Sequence, residues 1–255
     1  VLEPLRKHEI VDCVLTYRQY AKFKSTYIDG IRKLETPDGR IHTTFKQEAT
    51  VTGRISSTEP NLQNIPTRTA QGREIRRIFR ASDENHILVC ADYSQIELRI
   101  LAHMANDEQM IGAFENHLDI HAATAAEVFG VPLELVTPEM RSQAKAVNFG
   151  IVYGISEFGL ARNLNIPQYR AKELISRYFL EFSGVANYMH TVVQAAKEEK
   201  FVTTMWGRRR ELPELSSKNY NMRSFGERAA LNTPVQGSAA DIIKLAMIRV
   251  WDALT

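Results

Sequence analysis

Two cations and two aromatic rings recur at regular spacing near the middle of the chain. Arg141, Lys145, Phe149 and Tyr153 follow one another at four-residue steps. In an α-helix each step advances about 400°, so each side chain lies about 40° round from the one before it. Like charges at this spacing, and cations near a helix N-terminus, destabilise an isolated helix. The pattern therefore predicts an absent anion beside a flat base, as in a nucleoside triphosphate.

The residues just before this group predict where its helix begins. Thr137 is of a type that caps helix N-termini, and Pro138 suits the first helical position. A helix that begins there and continues through Tyr153 would present the four side chains along one flank.

A second candidate site is centred on Asp92, which follows the apolar segment Ile87–Ala91. A continuous apolar run of this length predicts a buried strand, with the Cys90 thiol buried in it. A carboxylate at a strand end is held by rigid backbone, and Mg²⁺ is usually bound by one or two carboxylates plus substrate phosphates. The alternative is that Asp92 merely ends the strand.

Glu97 also has two interpretations. Ser94 and Glu97 have the spacing of a capping box, in which the Glu97 carboxylate stabilises the start of the next helix. On the sequence by itself, the capping interpretation is favoured over a role in a binding site.

Positive charge is concentrated in one part of the chain. Between residues 40 and 80 there are eight Lys/Arg and three Asp/Glu, whereas the net charge of the whole chain is +2. Such a local surplus permits a polyanionic partner. Residues 53–72 are rich in Gly, Ser, Pro, Asn and Gln and predict a loop. A basic helical face is predicted after it, although a solvated face would have the same spacing: Arg73, Arg76, Arg77 and Arg80.

The N-terminal part predicts one helix and one hairpin. Residues 3 to about 29 have a helical pattern, and its candidate apolar side consists of Ile10, Val14, Leu15 and Tyr17. Asp38-Gly39 is a hairpin signal, and the segments on either side, Ile31–Glu35 and Arg40–Phe45, predict its two strands.

The rest of the chain is predominantly helical. From residue 94 to about 200 helical patterns are punctuated by turn residues such as Gly130 and Asn165. Phe201–Trp206 predicts a strand, and about 221–254 predicts a last helix that Pro234 kinks. Early strands, central helices and little β–α alternation indicate an α+β fold.

The composition is that of a soluble globular protein, with 44% hydrophobic and 24% charged residues. The two cysteines lack metal-site or disulfide spacing, which favours a reducing, cytoplasmic setting. No apolar run approaches the roughly 18 residues of a membrane span. The N-terminus is not a signal peptide and lacks an initiator Met, so we expect a piece of a longer chain.

Five separated motifs resemble those of the bacterial family A DNA polymerases, in the family's order. Residues 92–99 resemble the first polymerase motif, and residues 141–154 resemble the motif of the fingers helix. The other matches lie in the primer–template loop, at 52–57 and 60–68, and at 119–121 and 228–237. The resemblance covers essentially the whole chain. It implies a right-hand polymerase palm, an antiparallel sheet with helices, plus mainly helical fingers, incomplete at both ends.

The resemblance implies a catalytic and triphosphate-binding group. Asp92 would bind two Mg²⁺ ions, assisted at one of them by the backbone carbonyl of Tyr93. Arg141 and Lys145 would serve catalysis by holding the incoming triphosphate, together with His121.

The resemblance also implies residues that recognise the nucleoside. Phe149 would pack against its sugar and base, and Tyr153 would lie beside the templating position. Glu97 would help to exclude a ribose 2′-hydroxyl, working against Tyr153. A carboxylate in the first helical turn can cap a helix and also block a hydroxyl, so both interpretations of Glu97 stay open.

Contacts with primer–template DNA are implied in two regions of the sequence. Arg54, Asn232 and Gln236 would contact the minor groove at the nascent base pair. Hydrogen-bond acceptors occur there in either orientation of a base pair, so a donor can test the shape of the pair without reading its sequence. Arg68 would contact primer or substrate. The complete implied set is Arg54, Asn61, Gln63, Asn64, Arg68, Arg228, Asn232 and Gln236.

The implied function is template-directed addition of dNTPs to a primer 3′-hydroxyl, with release of pyrophosphate. A single-subunit RNA polymerase and a non-catalytic DNA-binding module are the alternatives. The implied sections are a thumb remnant over 1–30, a first part of the palm over 31–104, fingers over 105–222 and a second part of the palm over 223–255. The implied parent is cytoplasmic and nucleoid-associated, monomeric, and has no membrane partner.

One family feature is missing from the sequence. The family places its second catalytic carboxylate in a His-Asp-Glu turn, and these 255 residues contain no such tripeptide. One aspartate does not make a normal two-metal site. We therefore expect this chain, by itself, to be inactive or nearly so as a polymerase.

Overall fold

Helices account for most of the structure, and its strands form small antiparallel sheets. The computed structural model describes residues 2–66 and 70–255. The chain divides into two compact units, Val1–Asp92 and Tyr93–Thr255, which are described one at a time. The combination of helices with antiparallel strands confirms the predicted α+β class. The thumb, palm and fingers boundaries expected from the resemblance stay predictions.

The first unit opens with helical segments, as the sequence predicts. A 3₁₀ turn, Glu3–Leu5, precedes α1, Glu9–Phe23. The helix then widens into a π-helical segment, Lys24–Asp29, and ends in α2, Gly30–Arg32.

The apolar side predicted for α1 is wrong. The structure describes every residue of α1, and none of them is buried; Ile10 and Tyr17 are largely exposed. The small core of this unit is formed instead by Tyr27, Ile31 and Ile75. Periodicity identifies an apolar face but does not say which element covers it, and burial depends on that second element.

The turn predicted at Asp38-Gly39 is confirmed, but the hairpin pairing predicted for the segments beside it is wrong. Gly39 has a φ of +77°, which a glycine adopts without strain. Ile31 lies in α2 because its side chain belongs to the small core. A single bridge, Glu35 to Ile41, joins the two described flanks of the turn, and only the end of the second predicted segment, Thr44 and Phe45, lies in a strand, which pairs with residues 57 and 58 instead.

The predicted loop over 53–72 contains a short strand and a 3₁₀ turn. Strand β1, Thr44–Lys46, pairs antiparallel with β2, Ser56–Thr58. The 3₁₀ turn covers Leu62–Asn64, and α3 covers Ala70–Arg76. Because α3 ends at Arg76, the predicted basic face is only partly helical, although all four of its arginines are exposed.

The buried strand predicted over Ile87–Ala91 is wrong. Ile87, Leu88 and Val89 are largely exposed, and so is the Cys90 thiol, which was expected to be buried. A strand needs a neighbour to satisfy its backbone hydrogen-bonding groups. In the part of the chain that the structure describes, this segment pairs with no strand.

The structure describes every residue of the second unit, which contains eight longer helices. They are α4, Ile96–Ala105; α5, Glu108–Glu115; α6, Ile120–Phe129; α7, Pro138–Val152; α8, Glu157–Leu164; α9, Gln168–Glu181; α10, Ser183–Glu199; and α11, Tyr220–Leu254. Shorter elements are the 3₁₀ turns Leu133–Leu135 and Pro213–Ser216 and strands β3, Phe201–Thr203, and β4, Arg209–Glu211, which pair antiparallel. The helical prediction for 94–200 and the strand beginning at Phe201 are therefore confirmed.

The boundaries of these helices follow local sequence signals. Side chains of Asp107, Asp119 and Ser156 accept hydrogen bonds from the first backbone N–H groups of α5, α6 and α8. Gly130 and Asn165 take left-handed conformations at the ends of α6 and α8, as their residue types predict. The helices enclose one large apolar core, whose fully buried members include Leu98, Ile120, Val147, Leu160 and Tyr178.

Close packing at Gly150 sets how α7 ends. A Cβ on Gly150 would lie 2.6 Å from Cγ2 of Ile155, which is closer than real Cβ contacts. The chain turns back directly after α7, and the Ile155 N–H donates to the Gly150 carbonyl at 2.8 Å. A side chain at residue 150 would therefore push apart α7 and the segment leading to α8.

Helix α11 is one continuous element that contains Pro234. Its middle is buried, while the apolar side chains of its last two turns are largely exposed: Met247, Ile248, Val250, Trp251 and Leu254. Across residues 2–66 and 70–255, no helix combines the length and the apolar character that crossing a bilayer would require.

Candidate nucleotide-binding site

Helix α7 begins where the sequence predicts and ends one residue early. The Thr137 hydroxyl accepts a hydrogen bond from the Met140 N–H at 3.2 Å, and Pro138 is the first helical residue. Tyr153 is the residue after the helix, with a φ of −96°. Its N–H still donates to the Gly150 carbonyl at 3.1 Å, so the last turn closes regularly.

The four predicted side chains share the accessible side of α7. Arg141 and Lys145 are exposed, Phe149 is half-buried and Tyr153 is 41% exposed. The other side of the helix packs into the core through residues such as Val147. The predicted arrangement of two cations followed by two rings is therefore present on one surface.

The two cations differ in their partners. The Arg141 guanidinium already pairs with the Asp119 carboxylate, with Nε and Nη2 each 2.7 Å from Oδ2. No ion pair forms between Lys145 and the other residues that the structure describes, and its Nζ lies 6.0 Å from the centre of the Phe149 ring. An anion from outside the chain would thus meet Lys145 directly and would compete with Asp119 for Arg141.

Asp119 uses its two oxygens for different purposes. Oδ1 accepts hydrogen bonds from the backbone N–H groups of His121 and Ala122 at 2.9 and 3.2 Å and so caps α6. Oδ2 accepts from Arg141 on α7. Partial burial by itself would raise the pKa of Asp119, but the hydrogen bonds from Arg141, Ala122 and His121 hold it below its usual value.

His121 lies beside Phe149 in a buried polar group. Its side chain is 3% exposed, and its ring centre is 5.7 Å from that of Phe149. Asn148 on α7 and Thr124 on α6 are fully buried, and the Asn148 amide nitrogen lies 3.1 Å from Nδ1 of His121. Burial lowers the pKa of His121; Asp119 opposes this, and Lys145 and Arg141 reinforce it.

The capping box predicted for Ser94 and Glu97 is wrong. Helix α4 begins at Ile96, after Gln95 in a left-handed conformation, and no side chain among the described residues caps it. The Glu97 carboxylate instead accepts a hydrogen bond from the Tyr153 hydroxyl at 2.8 Å, and Glu97 is only 7% exposed. The pairing that the resemblance implied between these two residues is thus present as a direct contact.

A cavity of about 480 Å³ opens next to the two rings. Its walls include Phe149, Tyr153, Gly154, Asn163 and Arg228. Two aromatic rings at the rim of a partly polar cavity suit a planar, hydrogen-bonding ligand such as a nucleobase.

The residues predicted to contact DNA lie in both units. In the first, Arg54, Asn61 and Asn64 are exposed. The Asn61 side chain accepts from the Gln63 N–H at 3.0 Å, and the Gln63 amide donates to the Ile55 carbonyl at 2.9 Å. Three of these polar side chains therefore shape or flank the 3₁₀ turn, while Arg68 lies outside the described residues.

The remaining DNA-contact candidates follow one another along α11. Arg228 is exposed, and its guanidinium donates to Ser224 at 2.7 Å. Asn232 and Gln236, each a helical turn further on, are half-buried. The Asn232 amide nitrogen is buried and has no hydrogen-bond partner among the residues described.

Comparison with known proteins identifies this combination of elements. A family model described as DNA polymerase family A matches residues 1–255. The chain belongs to DNA polymerase family A.

Several family A relatives match over nearly the whole chain. DNA polymerase I of Geobacillus stearothermophilus is 58% identical over 250 residues, which are 97% of this chain and 28% of the relative. DNA polymerase I of Caldicellulosiruptor bescii is 53% identical over 256 residues, 100% of this chain and 30% of the relative. The chain thus spans less than a third of the length of these curated relatives.

A solved family A structure has the same fold. It is the POL domain of Pol1 from M. smegmatis in complex with DNA primer-template and dNTP. The two chains superpose with a TM-score of 0.92 at 46% identity, over 99% of this chain and 45% of that one. The similarity confirms the family resemblance and the polymerase-domain fold that the motifs implied.

The donor set for a metal ion is incomplete in the part of the chain described. Asp92 and Tyr93, the predicted metal-binding residues, are exposed. Residues 2–66 and 70–255 nevertheless contain no group of three His, Cys, Asp or Glu side chains close enough to share a metal ion. These residues therefore do not fit a complete metal centre, although polymerases of family A depend on divalent metal ions.

Two residues of the site had no predicted role. The Asn148 side chain contacts His121, and the Thr124 side chain contacts Asn148. An asparagine between the apolar Val147 and the aromatic Phe149 was the available signal. A polar residue at a core position of a helix needs a buried partner.

Proposed function

We propose that this chain is the nucleotide- and template-binding part of a template-directed DNA polymerase, which adds dNTPs to a primer 3′-hydroxyl. The observation that carries the proposal is the accessible side of α7, where Arg141, Lys145, Phe149 and Tyr153 are presented together. Membership of family A favours a DNA polymerase over a single-subunit RNA polymerase.

The α7 residues supply positioning and charge. Lys145 binds a phosphate group of the incoming dNTP, and Arg141 exchanges the Asp119 carboxylate for a second phosphate oxygen. His121 donates to the same triphosphate, and the Phe149 ring packs against the nucleoside. Phosphoryl transfer depends chiefly on such alignment and charge stabilisation, because little covalent chemistry falls to the protein.

Glu97 and Tyr153 select the sugar in this proposal. Their hydrogen bond holds the Glu97 carboxylate in place at the end of α7, where a ribose 2′-hydroxyl would meet it. In a full-length polymerase we expect Glu97→Ala to admit ribonucleotides, whereas the same substitution should leave dNTP use comparatively intact. Unchanged discrimination between dNTPs and rNTPs would remove Glu97 from this role.

The remaining roles concern DNA, metal and the whole enzyme. Arg54, Asn232, Gln236 and the other predicted polar residues bind primer–template DNA. Two Mg²⁺ ions at Asp92 and Tyr93, a monomeric parent, and a cytoplasmic, nucleoid-associated location stay predictions for the complete enzyme. Because the described residues do not complete a metal centre, we assign this chain no metal-dependent step and expect negligible primer extension from it alone.

Titration of dNTPs into the 255-residue chain tests the binding part of the proposal. We expect Lys145→Ala to weaken dNTP affinity by about tenfold or more, the effect of losing one hydrogen bond between charged groups. Lys172→Ala is the matched control, because Lys172 is also exposed on a helix of the second unit but lies on α9. Equal affinities for the two variants would refute the site.

Primer extension separates the polymerase from a DNA-binding module. A full-length family A polymerase carrying these residues should extend a primer, and Lys145→Ala should lower its rate. Robust synthesis by the 255-residue chain alone would refute the view that its metal centre is incomplete.

A further inference from the structure

We propose that Asn148, oriented by Thr124, is a positioning residue that fixes the ring of His121 with its proton on Nε2. The inference deepens the proposed function, since it rests on His121 donating a hydrogen bond to the bound triphosphate. It concerns two residues that the resemblance to known polymerases left without a role.

Thr124 determines which way the Asn148 amide points. The Thr124 hydroxyl donates its single hydrogen to the Ile120 carbonyl at 2.7 Å, so the hydroxyl oxygen is available as an acceptor. The Asn148 amide nitrogen donates to that oxygen at 3.0 Å. The Asn148 carbonyl oxygen is further from the hydroxyl, at 3.3 Å. The nitrogen, and not the oxygen, is therefore directed toward α6.

The second hydrogen of the Asn148 amide then meets His121. The amide nitrogen lies 3.1 Å from Nδ1, with both side chains buried. Because the amide nitrogen can only donate, Nδ1 must offer its lone pair. A neutral imidazole that accepts at Nδ1 carries its proton on Nε2. Protonation of Nδ1 would set two donors against each other, so the contact opposes the imidazolium form, as burial does.

Nε2 is the ring nitrogen left for a ligand. It has no hydrogen-bond partner within the described part of the chain, and it is not among the completely buried unpaired polar atoms there, although His121 as a whole is only 3% exposed. Ionised phosphate oxygens only accept hydrogen bonds. The tautomer fixed by Asn148 presents them with a donor, whereas the other tautomer would present a lone pair and repel them.

The ring state is measurable without nucleotide. In ¹⁵N NMR spectra of the 255-residue chain, we expect His121 to show the Nε2–H tautomer. Asn148→Leu, which removes the donor, should give a mixture of tautomers. Thr124→Val should do the same, because it removes the acceptor that orients the amide, while Thr124→Ser keeps the hydroxyl and should retain the wild-type tautomer.

The same variants should change nucleotide binding in step with the tautomer. We expect Asn148→Leu and Thr124→Val to weaken dNTP affinity by up to about tenfold, the effect of one hydrogen bond to a charged group, and Thr124→Ser to restore it. If Asn148→Leu does not fold, the comparison of Thr124→Val with Thr124→Ser decides. The inference would be overturned if the wild type shows the Nδ1–H tautomer. It would also be overturned if Thr124→Val shows the same tautomer as the wild type.

Failure of the proposed function would look different. If His121→Ala binds dNTPs as well as the wild type while the NMR spectra show the expected tautomers, His121 is oriented as inferred but does not bind the triphosphate. That outcome would overturn the role of Asn148 in triphosphate binding. The proposed role of Lys145 would still be tested separately, by the dNTP titration of Lys145→Ala.

Discussion

The hydrogen bond between Tyr153 and Glu97 should contribute measurably to the stability of the second unit. Tyr153→Phe removes the hydroxyl that donates to the Glu97 carboxylate at 2.8 Å. Hydrogen bonds to charged groups contribute about 1.5–3 kcal/mol. Because Tyr153 is 41% exposed, water can replace part of the interaction. We therefore expect a loss of about 1.5 kcal/mol in the free energy of unfolding, at the lower end of that range.

Urea unfolding followed by tryptophan fluorescence is the appropriate assay, since both tryptophans, Trp206 and Trp251, lie in the second unit. Tyr178→Phe is a control with the same chemical change. The Tyr178 hydroxyl is fully buried and has no hydrogen-bond partner among the described residues, and burial raises its pKa. Its removal should leave stability unchanged or raise it by up to about 1 kcal/mol.

A double-mutant cycle isolates the contact. Glu97→Ala, Tyr153→Phe and the double variant should show a coupling free energy of about 1 kcal/mol or more, because each single substitution removes the same bond. Additivity within about 0.5 kcal/mol, or an equal loss in Tyr178→Phe, would refute the reasoning.

Two further predictions follow from packing and charge. Gly150→Ala should destabilise the second unit by about 1–3 kcal/mol through overpacking. Gly112→Ala is the control: no atom lies within 4 Å of the added Cβ, so this substitution should raise stability by about 0.5–1 kcal/mol. Equal effects of the two substitutions in urea unfolding would contradict the packing described at the end of α7. The pKa of Asp119 is lowered in the folded chain, so its ionised form stabilises the fold above the unfolded value of about 4, and this stability is lost as the pH falls through the lowered pKa. Between about pH 6 and pH 2, the free energy of unfolding should therefore decrease less steeply with acid in Asp119→Asn than in the wild type. An equally steep decrease in the two proteins would show that this carboxylate does not contribute.

The sequence predicted correctly those helix boundaries that depend on neighbouring residues alone. The start of α7 at Thr137 and Pro138, and the ends of α6 at Gly130 and of α8 at Asn165, each depend on a residue type and its immediate neighbours. The four-residue spacing that placed two cations and two rings on one flank is likewise a property of a single helix. These predictions are correct because every α-helix has the same turn per residue, so the spacing of residues in the sequence determines which side chains share a face.

Predictions failed where a residue's partner is distant in sequence. Ser94 and Glu97 satisfy the capping pattern, but the Glu97 carboxylate bonds to Tyr153, which is 56 residues away. The ion pair of Arg141 with Asp119, 22 residues away, was likewise not predicted. The apolar segment at Ile87 reads as a strand, but strand formation depends on a neighbour that composition does not reveal. The site was found through motifs, while its internal contacts required the structure.

The division of labour within the Asp119 carboxylate has a consequence for ligand choice. An anion that takes the place of Oδ2 at Arg141 leaves Oδ1 in position to hold the start of α6. The exchange therefore costs an ion pair but does not unravel a helix. A small anion that offers Arg141 one contact merely replaces what it removes. At the proposed site, an extended polyanion that also reaches Lys145 would gain a second contact, for which no other described residue forms an ion pair. We therefore expect Asp119 to disfavour simple phosphate more than triphosphate.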